Sequence, residues 1–130
     1  MESSEDLKIK LQGYEISERE FLDSVIDLAH VFGYLVAHFR PAMTKHGWRT
    51  AVAGDGAGYP DLCLVKSERL IYAELKSNKG KVTEQQQRWL GVLKATGKCD
   101  VYVWRPCDFQ SIVEVLREGE TNVNRQQLEN

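Results

Sequence analysis

Three side chains between residues 58 and 76 have types and spacing that could support chemistry at a phosphate. Asp61 follows Pro60, and Glu74 and Lys76 stand two residues apart at the end of a later apolar run. Two carboxylates can bind a hard divalent cation such as Mg²⁺, which prefers oxygen ligands and keeps several waters. An ammonium beside that cation can stabilise developing charge or help to activate a water molecule. These residue types therefore favour metal-assisted hydrolysis.

The apolar runs that carry these residues predict a β-hairpin. Residues 61–65 and 70–75 are short and partly β-branched or aromatic, and a polar turn joins them. Antiparallel pairing brings Asp61 to the end of the hairpin where Glu74 and Lys76 lie side by side on one face. Taken singly, the residues also fit a strand start and a surface ion pair worth roughly a few tenths of a kcal/mol. Unpaired charges at the end of an apolar run are costly, which favours a site.

Two predicted helices contribute further candidates. Ser17 caps the first helix. The apolar side chains of this helix form a stripe, and continuing the stripe towards the N-terminus leads to Glu18 and not to Glu20. Glu18 can reach the acidic cluster directly or through water, or it only complements the helix dipole. Thr83 caps the second helix, and Gln86 begins its inward face. The Gln86 amide can bond a water or a phosphate at the site, or else nearby backbone.

The segment from residue 40 to residue 59 has the least regular pattern and is predicted to be a loop of about twenty residues, a length typical of functional loops. Its cations and its tryptophan suit phosphates and an unstacked base, as does the basic turn after Lys76. We expect DNA contacts from Arg40, Lys45, Trp48, Arg49, Lys79 and Lys81. The glycines at 54, 56 and 58 precede a strand and not a helix, so they predict backbone hinges that approach DNA and not a phosphate-binding loop.

Charge and cysteine content narrow the class of protein. The net charge is −2, but residues 40–105 hold 12 Lys and Arg against 6 Asp and Glu, which concentrates positive charge around the candidate site. The three cysteines have no CxxC spacing, so we expect free thiols in a reducing compartment and no zinc site. No run is long and apolar enough to predict a membrane span or a leader. From composition alone we expect a soluble, intracellular protein.

The same residues carry a resemblance to a known family. Pro60-Asp61 followed by Glu74-Leu75-Lys76 matches the PD-(D/E)xK signature of restriction-endonuclease-like nucleases. The wider context, over about residues 17–117, resembles the VRR-NUC domain, particularly its stand-alone phage and bacterial members. It consists of Gly58 to Leu62, Ala73 to Ser77, Gly80 to Thr83, Gln86, Trp89-Leu90 and Val101 to Pro106.

The order of the predicted elements gives an α/β fold, with a mixed four-stranded sheet flanked by helices (αβββαβ plus a C-terminal helix). This agrees with the restriction-endonuclease-like core that the resemblance implies. We expect an N-terminal arm over residues 1–16, a nuclease domain over 17–119 and a polar tail over 120–130.

The resemblance also implies an activity: a Mg²⁺- or Mn²⁺-dependent DNA endonuclease. It implies that Asp61, Glu74 and the main-chain carbonyl of Leu75 hold the metal, that Lys76 helps to activate water, and that Gln86 and Glu18 assist. Members of this kind are associated with branched DNA such as Holliday junctions, and they act as homodimers. Paired cuts in a four-way junction need two sites, which a C2 dimer provides.

Several other functions remain open at this point. The chain could be a flap or nicking enzyme or a restriction-type nuclease, or a non-catalytic DNA-binding module of the same fold. The presence of Asp61, Glu74 and Lys76 together argues against a non-catalytic module. A phosphate-binding metabolic enzyme is a further alternative, but the sequence shows no apolar pocket pattern that supports it.

Overall fold

The computed structural model describes residues 16–39, 42–45, 47–49 and 53–118, with only the backbone described at 42–44 and 47–49. The predicted tail and all of the predicted arm except Ile16 lie outside these residues. In chain order the described elements are α1 (Glu18–Val31), β1 (Leu35–His38), β2 (Ala42–Thr44), β3 (Gly47–Arg49), β4 (Leu62–Lys66), β5 (Arg69–Leu75), α2 (Glu84–Ala95), β6 (Asp100–Trp104), a 3₁₀ turn (Pro106–Asp108) and α3 (109–118).

The main sheet is mixed and four-stranded, which confirms the predicted α/β fold. Its strand order is β1-β4-β5-β6, so β1 and β6 form the edges among the described strands. The β1–β4 and β4–β5 pairs are antiparallel, whereas β6 returns through α2 to pair parallel with β5. The carboxyl ends of β5 and β6 therefore lie side by side, at the edge of the sheet where the chain continues into Lys76 and Arg105.

One face of the sheet carries the hydrophobic core. Alternation along the strands sends Leu62 and Leu64 of β4 to the same face as Ile71 and Ala73 of β5. These side chains are buried together with those of α1, β6 and α3, namely Phe21, Val25, Ala29, Trp104, Phe109, Ile112 and Leu116. Full burial of each large apolar side chain contributes about 1.5–3 kcal/mol. The core thus fixes the sheet that supports the candidate site.

The helix ends agree with the capping signals in the sequence. Ser17 caps α1, and its side chain accepts a hydrogen bond from the Glu20 N–H. Thr83 caps α2 in the same way, by accepting from the Gln86 N–H. Gly33 follows α1 with a φ of +86°, a conformation that glycine adopts without strain. Within the described residues, no helix is both long and apolar enough to cross a membrane.

The predicted twenty-residue loop is wrong in part, because it contains a second, two-stranded sheet. β2 and β3 pair antiparallel, with Met43 opposite Trp48. Each strand has only three residues, so the alternation that identifies a strand has no length in which to appear. Nearby cations and glycines further obscure the pattern in the sequence.

Helix α2 is more exposed than its sequence pattern predicts. The predicted inward face that begins at Gln86 also carries Trp89, Leu90 and Leu93. These three side chains are only half-buried, and α2 contains no fully buried residue. Val92 is 53% exposed. Helix α2 therefore acts as a partly open wall beside the sheet and contributes little to the core.

Candidate active site

The β4–β5 hairpin brings the two predicted acidic residues together. Leu62 pairs with Ala73, so the preceding residue Asp61 lies across from Glu74 at the end of the hairpin. Both side chains point to the face opposite the core. The Leu75 N–H donates a hydrogen bond to Asp61 Oδ2 at 2.8 Å, which fixes this carboxylate against the end of β5.

Glu74 is the one charged residue among the buried side chains that the structure describes, and it is only 2% exposed. Burial and the negative charge of Asp61 raise the pKa of Glu74 to about 8, although Lys76 acts in the opposite direction. Within the described residues, Oε2 of Glu74 is buried and has no hydrogen-bond partner. An unsatisfied buried oxygen is unfavourable and points to a ligand that the protein itself does not supply.

Lys76 and Gln86 complete the cluster around Glu74. Lys76 Nζ lies 4.0 Å from Glu74 Oε1, and its side chain is 15% exposed. Gln86 Nε2 donates to the same Oε1 at 3.0 Å, while Gln86 Oε1 accepts from the Thr83 N–H at 2.9 Å. Of the two alternatives for Gln86, the bond to nearby backbone is therefore present, through its oxygen. Its nitrogen bonds the buried carboxylate, a partner that we did not predict, and a bond from Gln86 to water or phosphate stays a prediction.

Arg105 holds the turn that follows Lys76, a role that we did not predict for it. Its Nη1 donates to the carbonyls of Ser77 and Gly80, each at 2.6 Å, and so closes the turn after Lys76. A Cβ built at Gly80 would lie 3.6 Å from Lys76 Cδ, so this turn runs along the lysine side chain. The signals in the sequence were the position of Arg105 at the end of a strand and its place in the family-like segment Val101 to Pro106.

The residues at this site fit a hard divalent cation. Asp61 and Glu74 offer carboxylate oxygens, and Glu74 Oε2 lacks a partner within the described residues. The described residues contain no group of three His, Cys, Asp or Glu side chains that could share a metal. Two carboxylates suffice for Mg²⁺, which usually keeps several waters and binds substrate phosphate as well.

The structure does not bring Glu18 into this cluster. Glu18 is exposed at the start of α1, and α1 packs on the core face of the sheet, opposite Glu74. It forms no three-membered acidic group with Asp61 and Glu74. The apolar stripe of α1 correctly predicts that Glu18 stands at the N-terminal end of the helix. It does not predict on which face of the sheet the helix packs. The part assigned to Glu18, or to Glu20 in its place, stays a prediction.

The predicted DNA-binding residues are described to different extents. Lys45 is exposed in the turn between β2 and β3, and Lys79 and Lys81 are exposed in the segment after Lys76. Arg40 lies outside the described residues, as do the side chains of Trp48 and Arg49. Their contacts with DNA stay predictions.

The glycine-rich segment packs against α2. A Cβ at Gly58, where φ is +85°, would lie 2.6 Å from the backbone carbon of Gln85. Trp89 Nε1 donates to the Asp55 carbonyl at 2.9 Å, and the Tyr59 and Trp89 rings meet edge to face at 5.0 Å. At Gly58, therefore, the close approach that glycine permits is to helix α2, and the hinge that we predicted there is replaced by a packed contact.

A known family matches the part of the chain that carries this site. The family model for the VRR-NUC domain matches residues 35–106, which is more than half of the chain. The match includes Asp61, Glu74, Lys76 and Gln86, and it begins after Glu18. No curated protein and no solved structure matches the chain.

Proposed function

Because this chain belongs to the VRR-NUC domain family, a nuclease family, we propose that it is a divalent-metal-dependent DNA endonuclease that acts on branched DNA. The observation that carries this proposal is the state of Glu74. Its carboxylate is buried beside a second carboxylate, one of its oxygens has no partner within the described residues, and a lysine and a glutamine approach the other oxygen. A buried arrangement of this kind is costly to folding unless a cation compensates it.

In this proposal the metal is Mg²⁺ or Mn²⁺, and Asp61, Glu74 and the main-chain carbonyl of Leu75 hold it. When bound, such a cation supplies positive charge to the phosphate and lowers the pKa of the attacking water. The hydrogen bond from the Leu75 N–H fixes Asp61, and the one from Gln86 fixes Glu74, so both carboxylates are oriented before substrate binds. Preorganisation of this kind avoids reorientation of the site during the reaction.

Lys76 contributes a positive charge beside the two carboxylates. Its ammonium lies next to Glu74 and is partly exposed, so it can donate to the attacking water or to a phosphate oxygen. Water then attacks phosphorus in line with the leaving oxygen, and the phosphodiester bond to that oxygen breaks. Glu18 lies outside the acidic group, and we assign it at most a contact through water.

We propose four-way junctions as the branched substrate and a homodimer as the acting form, in the cytoplasm of a bacterial or phage-infected cell. One chain offers one candidate site, so paired symmetric cuts need two copies. A surface that could support pairing lies beside edge strand β1, where Val31 is 77% exposed, Leu35 76% and Val65 37%. Light scattering of wild-type protein and of Leu35→Glu measures the dimer directly. A monomeric wild type contradicts this part of the proposal.

The nuclease proposal is tested with labelled duplex, flap, fork and four-way junction DNA, each incubated with Mg²⁺, Mn²⁺ or EDTA. We expect the wild type to cleave the junction with either metal and not in EDTA. Asp61→Asn and Glu74→Gln should abolish cleavage but leave DNA binding within a few-fold, because they remove metal ligands and no phosphate contact. Glu84→Gln removes an exposed carboxylate from the start of α2 and should cleave like the wild type.

Each alternative predicts a different pattern in the same assay. Preferential cleavage of the flap would identify a flap enzyme, and cutting of only one strand of the duplex would identify a nicking enzyme. Sequence-specific cleavage of both strands of the plain duplex would identify a restriction-type enzyme. Binding without cleavage in any metal would identify a non-catalytic module. If Glu74→Gln cut as fast as Glu84→Gln, the metal assignment would be wrong.

A further inference from the structure

A groove outside the acidic cluster lies between the glycine-rich segment and helix α2. It has a volume of about 370 Å³, comparable with a small ligand site. Gly54, Asp55 and Ala57 line one wall, and Gln85, Arg88, Trp89 and Val92 line the other. The bond from Trp89 Nε1 to the Asp55 carbonyl and the contact of Gly58 with Gln85 hold the two walls together. The groove is therefore formed before any ligand binds.

The lining of the groove combines an apolar surface with charge. Val92 is 53% exposed and stands one helical turn from Trp89. A helix face that contacts only water is normally polar, so an exposed valine here favours a binding surface. Arg88 is also exposed, next to Trp89 in sequence. An aromatic ring and a valine side chain suit the flat face of a base, and a guanidinium suits a phosphate.

Both walls of the groove lead along the chain to the candidate active site. Gln85 lines the groove, whereas its neighbour Gln86 bonds Glu74. The opposite wall leads within a few residues to Asp61. Along the chain, each wall of the groove thus lies within four residues of a residue that we place at the acidic cluster.

We propose that the groove binds one unpaired nucleotide of the DNA substrate, with its base against Trp89 and Val92 and its phosphate at Arg88. This inference rests on the proposed function and adds to it a reason for preferring DNA with unpaired or splayed strands. A base in a continuous duplex is stacked and paired, so only a branch, a flap or a gap presents one at low cost. The groove therefore selects DNA by its structure and not by its base sequence.

The experiment measures binding of labelled DNA in EDTA by fluorescence anisotropy, with a plain duplex, a gapped duplex and a four-way junction. Wild-type protein should bind the gapped duplex and the junction more tightly than the duplex. Val92→Glu should remove most of this preference, roughly a 5- to 100-fold loss, because one stacked base contributes that much. Ala95→Glu places the same charge one turn further along α2, outside the groove lining, and should keep the preference.

A second pair of variants tests the phosphate contact. Arg88→Ala should reduce the slope of log K against log salt by about one unit. Lys94→Ala removes another exposed cation of α2 that does not line the groove, and it should reduce affinity less. Substituting single bases by abasic residues along the gap should reveal one position that weakens binding to the wild type and has no effect on Val92→Glu.

Thermal melting checks that each variant is folded, and Val92→Ser provides a smaller change if Val92→Glu is not. Equal preference in Val92→Glu and Ala95→Glu would overturn the inference and leave the nuclease proposal standing if the wild type still cleaves. A groove variant that changed only self-association would also overturn it, in favour of a protein occupant. DNA binding that depends on the groove but is never followed by cleavage would support the inference and refute the nuclease. No DNA binding at all would refute both.

Discussion

The side-chain amide of Gln86 connects the start of helix α2 to the buried carboxylate of Glu74. Its nitrogen donates to Glu74 Oε1 at 3.0 Å, and its oxygen accepts from the Thr83 N–H at 2.9 Å. One residue therefore both caps the helix and orients a candidate metal ligand. Because each half of the amide has a different partner, a substitution that keeps one half separates the two functions.

Gln86→Glu keeps the oxygen for Thr83 but places a carboxylate where the donor to Glu74 stood. We expect α2 to stay capped and cleavage of DNA to fall at least about tenfold, since a donor that orients the site is lost and negative charge is added. Gln87→Glu makes the same change at an exposed neighbouring position. The two variants should melt within a few degrees of each other. Equal cleavage rates in both would show that the Gln86–Glu74 bond has no part in the reaction.

The raised pKa of Glu74 predicts how the metal-free protein responds to pH. Burial and Asp61 raise this pKa to about 8 in the folded protein, from 4.5 in an unperturbed glutamate. Between these values the native state holds a proton that the unfolded state does not, so stability falls as pH rises towards 8, by at most about 1.4 kcal/mol per pH unit. Glu74→Gln has no such proton to lose. Its free energy of unfolding should therefore rise relative to that of the wild type as the pH increases over this range.

Unfolding by urea at pH 5, 6.5 and 8 in EDTA measures this difference. Glu84→Gln, whose carboxylate is exposed, serves as the control and should follow the wild type. Adding Mg²⁺ or Mn²⁺ should stabilise the wild type most at pH 8, where Glu74 loses its proton most readily, and should leave Glu74→Gln nearly unchanged. A wild type that gained stability relative to Glu74→Gln between pH 5 and pH 8 would contradict the assigned direction.

Local signals in the sequence predicted much of the fold. The β4–β5 hairpin follows from two apolar runs and a polar turn, and α2 begins at Thr83 because Thr83 and Gln86 form a capping box. Asp61 and Glu74 could be placed together because antiparallel pairing fixes which residues lie opposite each other. Each of these inferences depends on residues close in sequence or on one strand pairing.

Other features depend on contacts between distant parts of the chain. No pattern around residue 74 specifies the burial of Glu74, and its hydrogen bond with Gln86 joins β5 to α2 across 12 residues of sequence. Arg105 reaches carbonyls 25 and 28 residues away. Glu18 is a second example. The apolar stripe of α1 is visible in the sequence, but the sequence does not show that α1 packs on the core face, away from Glu74. Distances of this kind come only from the assembled fold.

Gly58 and Gly54 form a matched pair for a test of loop packing. Both have positive φ, +85° and +61°, so alanine is strained at either position. A Cβ at Gly58 would collide with the backbone of Gln85, whereas a Cβ at Gly54 would meet nothing within 4 Å. We expect Gly54→Ala to cost about 1–2 kcal/mol, and Gly58→Ala clearly more. Equal losses of unfolding free energy would mean that the glycine-rich segment does not pack on α2 in solution.

Arg105 offers a test of the turn behind the candidate site. Arg105→Lys keeps the charge, but the lysine nitrogen stands one bond nearer the backbone than Nη1, the single arginine nitrogen that donates to both the Ser77 and the Gly80 carbonyls. Loss of bonds to partly buried carbonyls should cost about 1–2 kcal/mol, and cleavage should slow because the turn along Lys76 loosens. Arg88→Lys, at an exposed position, is the stability control. If Arg105→Lys lowered stability but not the single-turnover rate, the turn would have no part in positioning Lys76.

Lys76 separates an enzyme from a DNA-binding module more sharply than the carboxylates do. A carboxylate can be retained to hold a structural ion, whereas an ammonium 4.0 Å from Glu74 Oε1 competes with a cation for that carboxylate. Lys76→Ala should therefore bind Mn²⁺ as tightly as the wild type or more tightly, while cleavage slows by roughly 10²-fold or more.

Lys76→Arg should rescue cleavage poorly, because a planar guanidinium keeps the charge but not the compact geometry or the adjustable pKa of the ammonium. Single-turnover cleavage of a four-way junction measures the rate, and Mn²⁺ calorimetry measures the affinity for metal. Lys98→Ala, at an exposed position in the segment between α2 and β6, controls for the loss of one positive charge. If Lys76→Ala cut as fast as Lys98→Ala, the catalytic assignment of Lys76 would fail. The metal centre would then have to activate water without help from this residue.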